Sequence, residues 1–129
     1  MSSSPPERPS PYIAIVDDDE SVRVALGRLC RAYGMHTREL ATAHALVNLL
    51  GERRPDCVIL DLQLPDCNGL DADEWLRRRS IELPMIIITG RDDAKRSSEH
   101  VVLPKPVDDA TLMAAIRTVL NGDWPSAGV

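Results

Sequence analysis

The chain lacks the basic surplus that contact with a phosphate backbone requires. Its 20 Asp and Glu outnumber 15 Lys and Arg, for a net charge of -5 and a pI of about 5.1, which argues against direct nucleic-acid binding. It also lacks paired cysteines. Cys30, Cys57 and Cys67 are odd in number and not spaced as metal ligands or as a redox dithiol, so they read as reduced thiols of a cytoplasmic protein. No segment approaches the roughly 18 uninterrupted apolar residues of a membrane span. The N-terminus is polar and proline-rich rather than a basic stretch followed by an apolar one, and a soluble, cytosolic protein is expected. His36, His44 and His100 share no spacing that would gather ligands, and they read as surface or half-buried side chains. A second folded domain has no room in 129 residues, whereas 43% hydrophobic composition suffices for one core.

Between the ends, strand and helix signals alternate. Residues 1–10 are Ser, Pro and charge with almost nothing to bury, and read as a disordered lead-in; residues 122–129, with Gly122, Pro125 and Gly128, read as a flexible tail. The folded domain is expected over residues 11–121. Tyr12 to Val16 is an apolar run suited to a buried strand, and Val22, Ala25, Leu26 and Leu29 recur at helical spacing until Gly34 offers a stop. Met35 to Leu40 is mixed enough for an edge strand, and Ala43 to Leu50 continues as helix. Cys57 to Leu60 is a compact buried strand, Leu64 to Gly69 is turn chemistry, and Asp71 to Arg79 is an amphipathic helix. Met85 to Ile88 and Val101 to Leu103 complete the strands, and Asp108 to Leu120 forms the last helix. Five strands alternating with helices predict an α/β fold whose parallel sheet is covered on both faces, with ligands outside the carboxyl ends of the strands.

Those ends carry the polar residues. Asp17, Asp18 and Asp19 follow the first strand, Asp61 ends the third, Thr89 ends the fourth and Lys105 follows the fifth. In a parallel sheet they meet at one rim. Carboxylates gathered so closely raise one another's pKa unless a cation offsets them, which points to Mg²⁺ or Mn²⁺. Magnesium takes few protein carboxylates, leaving Asp61 free to act as nucleophile toward a phosphoryl group, with Lys105 and the Thr89 hydroxyl near its oxygens.

At these residues the sequence closely resembles the receiver domains of two-component signalling. The matching strings are Ile15-Val16-Asp17-Asp18-Asp19-Glu20, Leu60-Asp61-Leu62-Gln63-Leu64-Pro65-Asp66-Cys67-Asn68-Gly69, Ile88-Thr89-Gly90 and Lys105-Pro106, in the family's order and across nearly the whole core. Four motifs in register are far more specific than any one of them. The resemblance implies a doubly wound, flavodoxin-like sheet of order 2-1-3-4-5. It implies that Asp61 is phosphorylated by a partner histidine kinase or phosphotransfer protein, and that Asp17, Asp18, Asp61 and the Gln63 backbone carbonyl hold the cation. Thr89 and Lys105 then bind the phosphoryl group, Lys105-Pro106 is cis, and output runs through altered contacts with a downstream protein or a second copy in a homodimer. Asp19 receives no ligand role, and Arg91 borders the phosphoryl group.

Two departures from the family stand out. The interval from Thr89 to Lys105 is short, so the fourth helix is expected to be about two turns or missing. Val102 occupies a position where relatives commonly carry an aromatic residue that swings inward on activation. Two rival readings attach to the same residues. A metal-dependent phosphatase acting on outside substrates usually has an acid two residues after the nucleophile, where Gln63 stands here. A degenerate receiver that binds partners without phosphorylation is set against by the intact acidic pocket, Asp61 and Lys105. Of the remaining features, Cys67 reads as a loop thiol beside the site, Trp75 as a packing residue, and Arg77, Arg78 and Arg79 as a solvated helix end or the rim of a docking face.

Overall fold

The computed structural model describes residues 10–90 and 101–120. Its elements run β1 (Tyr12–Val16), α1 (Glu20–Ala32), β2 (His36–Leu40), α2 (Ala43–Glu52), β3 (Cys57–Asp61), β4 (Gln63–Leu64), β5 (Cys67–Asn68), α3 (Gly69–Arg78), β6 (Met85–Thr89), β7 (Val101–Pro104) and α4 (Asp109–Val119). Five strands form one parallel sheet of order β2-β1-β3-β6-β7, the expected doubly wound arrangement. The expected lead-in apart from Ser10, the expected tail and the fourth helix of the family pattern fall outside the described residues, as do Arg91 and His100.

The two faces divide the apolar residues of each strand by alternation. Ile13, Ile15, Cys57, Ile59, Ile86 and Ile88 face α1 and α4, where Cys30, Leu112 and Ile116 cover them. Ala14, Val16, Val58, Leu60 and Met85 face the other way, against Leu46 and Leu49 of α2 and Leu76 of α3. Helices on both faces explain why β1, β3 and β6 are apolar at almost every position. The edge strand β2 instead alternates exposed and covered residues. At the other edge, Pro104 sits where its missing N–H costs the ladder nothing inside the sheet.

Helix ends follow local chemistry. Gly34, at φ 88°, closes α1 with its N–H on the Arg31 carbonyl and that of Met35 on Cys30, the Schellman pattern that favours glycine. Ser80 takes the same left-handed place after α3, with φ 55°. Two features of the sequence reading are extended. α3 begins at Gly69 rather than Asp71, and the turn after β3 is a small antiparallel hairpin, β4–β5, with Pro65 and Asp66 at its tip. Trp75 is half-buried against the α2/α3 side of the core, and the Arg79 guanidinium lies 3.8 Å over its ring.

Candidate functional site

β1 and β3 are adjacent in the sheet, yet their following helices lie on opposite faces, so the chain diverges at their carboxyl ends and opens a crevice there. Three backbone bonds carry the parallel ladder one step past the strands: Asp17 N–H to the Leu40 carbonyl at 3.0 Å, Leu62 N–H to Ile88 at 2.9 Å, and Lys105 N–H to Thr89 at 2.8 Å. The rim residues are thus held by the sheet itself. Asp17, Asp61 and Thr89 are buried, with 2%, 7% and 1% of their surface exposed. Asp18 and Gln63 are exposed.

The expected residues converge. Asp17, Asp18 and Asp61 each offer a carboxylate oxygen, all within 4.8 Å of one another. Lys105 Nζ stands 3.4 Å from Asp61 Oδ2 and 3.8 Å from Asp17 Oδ2, and the peptide that follows it, Lys105-Pro106, is cis. Asp61 Oδ1 accepts the Gln63 N–H at 3.1 Å, and Asp17 Oδ1 accepts the Asp19 N–H at 2.9 Å. Both inner carboxylates are therefore fixed from two sides.

Burial pushes the Asp17 carboxyl above its ordinary 3.8; the Asp61 and Asp18 charges add to the rise, while the Asp19 N–H and Lys105 oppose it. One lysine ammonium among three carboxylates leaves uncompensated negative charge. Clustered hard oxygen donors, two buried and one open to solvent, suit a small divalent cation that keeps several waters. The residues fit Mg²⁺ or Mn²⁺.

Other residues around this rim have tasks that the sequence alone does not show. Arg23 Nη1 donates to the Asp17 backbone carbonyl at 2.8 Å, tying α1 to the acidic loop. Asp19 is the N-cap of α1, accepting from Ser21 and Val22, which gives the third acid of the triplet a structural task. Asp66 reaches across to α2, where it accepts the Ala43 and His44 N–H groups at 3.0 Å each. No pattern in the chain marks that last contact, because its partners lie more than 20 positions away. Val102, half-buried on β7, pairs with Ile87. Cys30 and Cys57 are free and buried, whereas the side chain of Cys67 lies outside the described residues. No helix among the described residues is long and apolar enough to cross a membrane.

Comparison with known proteins points to one family. The response regulator receiver domain family matches residues 13–117. The response regulator protein TmoT of Ectopseudomonas mendocina is 33% identical over 115 residues, covering 84% of this chain and 52% of that protein. The response regulator MprA of Mycolicibacterium vanbaalenii is 32% identical over 125 residues, covering 90% and 53% respectively. The chain thus spans about half the length of these relatives. A solved response regulator receiver protein from Burkholderia phymatum superposes with a TM-score of 0.76 at 32% identity, over 90% of this chain and 99% of that one.

Proposed function

This chain belongs to the response regulator receiver domain family of two-component systems, and on that footing we propose that Asp61 is its phosphoacceptor. One observation carries the reading: Lys105 Nζ lies 3.4 Å from Asp61 Oδ2 at the same rim where Asp17, Asp18 and Asp61 bring their oxygens within 4.8 Å. A carboxylate nucleophile, a fixed cation beside it and an acidic metal pocket are the parts phosphoryl transfer to an aspartate needs.

In this reading an Asp61 carboxylate oxygen forms a bond to phosphorus as the phosphorus–nitrogen bond of a donor phosphohistidine breaks, and the freed imidazole takes up a proton. The Gln63 N–H on Oδ1 limits rotation of the carboxylate. Lys105 gives positive charge to the phosphoryl oxygens, and Thr89, buried at the end of β6, offers its hydroxyl to them. Mg²⁺ or Mn²⁺, held by Asp17, Asp18, Asp61 and the Gln63 backbone carbonyl, supplies charge that offsets both the carboxylates and the incoming phosphate. Water later cleaves the acyl phosphate, so the domain catalyses its own phosphorylation and dephosphorylation and is not an enzyme toward outside substrates. Gln63, without a proton to give, supports that limit.

The donor is a histidine kinase or a phosphotransfer protein of the cytoplasm, and the output is an altered contact with a downstream protein. The relatives' lengths are compatible with a further output region in such proteins. The test is intact mass after incubation with acetyl phosphate and Mg²⁺, on wild type and Asp61→Asn. A single phosphate adduct confined to wild type is expected. An adduct surviving in Asp61→Asn, or none in wild type, refutes the assignment.

A further inference from the structure

The hairpin β4–β5 carries Gln63, and its only ladder rungs are Gln63 with Asn68 and Leu64 with Cys67. So short a two-stranded unit is marginal by itself. Among the described side chains, two contacts hold it in place. Leu64 is buried in the core cluster on the α2 side that also holds Ala43 and Leu46. At the tip, the Asp66 carboxylate spans the first turn of α2, Oδ1 accepting from Ala43 N and Oδ2 from His44 N, both at 3.0 Å. A carboxylate at a helix N-terminus is favoured by the unpaired N–H groups and the dipole there. The usual cap of α2 is already supplied by Thr42, whose Oγ1 accepts from Ala45 N at 3.0 Å. Asp66 therefore adds a long-range tie to a helix that is already capped.

We infer that Asp66 is a positioning residue, which fixes the Gln63 peptide by anchoring the hairpin tip to α2 and thereby sets how strongly the acidic pocket takes Mg²⁺. The inference rests on the reading above, in which the Gln63 carbonyl is a metal ligand. The mechanical link is short. The Gln63 N–H is bonded to Asp61 Oδ1 at 3.1 Å, so the orientation of that peptide is shared between the acceptor residue on one side and the hairpin on the other. Released from α2, the tip keeps Leu64 and a pair of rungs among its described contacts, and the Gln63 carbonyl samples directions away from the pocket. Metal affinity then falls because the ligand must be ordered during binding.

Calorimetric titration of the whole chain with Mg²⁺, beside thermal melting without it, separates positioning from simple loss of stability. Asp66→Ala is expected to raise the Mg²⁺ half-saturation roughly tenfold, the low end for outer contacts that orient ligands. Asp66→Asn, which keeps one good acceptor, is expected to fall between, and serves if the alanine variant does not fold. Ile116→Val trims the core on the opposite face of the sheet, away from the hairpin, so it should lower the melting temperature and leave the Mg²⁺ affinity unchanged. Wild-type affinity in both Asp66 variants, or an equal weakening in Ile116→Val, overturns the inference alone. A wild type that binds no Mg²⁺ overturns the metal reading beneath it as well.

Discussion

Lys105 and Asp61, 44 positions apart in the chain, meet with Nζ 3.4 Å from Oδ2, and the same ammonium lies 3.8 Å from Asp17 Oδ2. The lysine is poised between two buried carboxylates rather than extended into solvent. It can turn its charge toward a phosphoryl group on Asp61 without leaving the pocket.

Lys105→Met keeps the length of the side chain and removes its charge. Phosphate uptake from acetyl phosphate is expected to slow roughly a hundredfold, the scale for losing one preorganised donor at developing charge. Stability of the metal-free protein should fall by only about 1 kcal/mol, because with 34% of the lysine side chain exposed the ion pairs are partly screened. Time-resolved intact mass and melting measure the two effects separately. A variant phosphorylated at the wild-type rate removes Lys105 from the mechanism.

Divalent cation should stabilise the fold, since it relieves repulsion among Asp17, Asp18 and Asp61 and binds only the assembled rim. At a hundredfold excess over the dissociation constant the gain is about 2.7 kcal/mol. Asp18 is exposed and outside the core, so Asp18→Ala should fold as well as wild type and lose most of the Mg²⁺-induced rise in melting temperature. A rise of equal size in Asp18→Ala would place the cation elsewhere.

The strands most legible in the sequence are those whose surroundings are simplest. β1, β3 and β6 lie between two helical layers, so nearly every position is apolar, and their shortness and β-branched residues separate them from buried helix. The acidic triplet, Asp61, Thr89 and Lys105 were legible because a parallel sheet delivers the residue after each strand to one edge. The β4–β5 hairpin was not, because strands of two residues have no period; it forms where Leu64 and Asp66 find partners on α2. Arg23 carries no signal of its own in the sequence, because its bond to the Asp17 carbonyl depends on how α1 leaves the rim. Asp19 shows how one triplet divides its work: a neighbourless Asp-Asp-Asp suggests a helix cap, and its last member is one, while Asp17 and Asp18 turn to the pocket.

The core cysteines should be chemically silent in the native state. Burial pushes the Cys30 thiol up to about 12 and raises that of Cys57 still further, so neither forms appreciable thiolate near neutral pH. A maleimide or iodoacetamide should label Cys30 and Cys57 only after denaturation, at rates set by unfolding. Peptide mapping after a short native pulse checks this, and modification of either at the rate of a free thiol would contradict the packing of β3 against α1.

Asp108 gives the fold a pH dependence that can be assigned to one side chain. As N-cap of α4 it accepts the Thr111 N–H at 2.7 Å. That bond, with help from the Thr111 hydroxyl, holds its carboxyl below the ordinary 3.8. A carboxyl depressed in the folded state contributes stability that is present above the unfolded value and lost as pH falls through the folded one. Asp108→Ala should therefore melt below wild type at neutral pH, because α4 carries Leu112 and Ile116 into the core and its first turn would fray. The gap should narrow as pH drops below 3.8. Asp108→Asn caps comparably without titrating, so it should match wild type near neutrality and lack this contribution to acid sensitivity. Melting curves of the three proteins from pH 7 down to pH 3 decide it: an alanine gap that stays constant across that range would mean the cap acts through geometry alone, not through its charge.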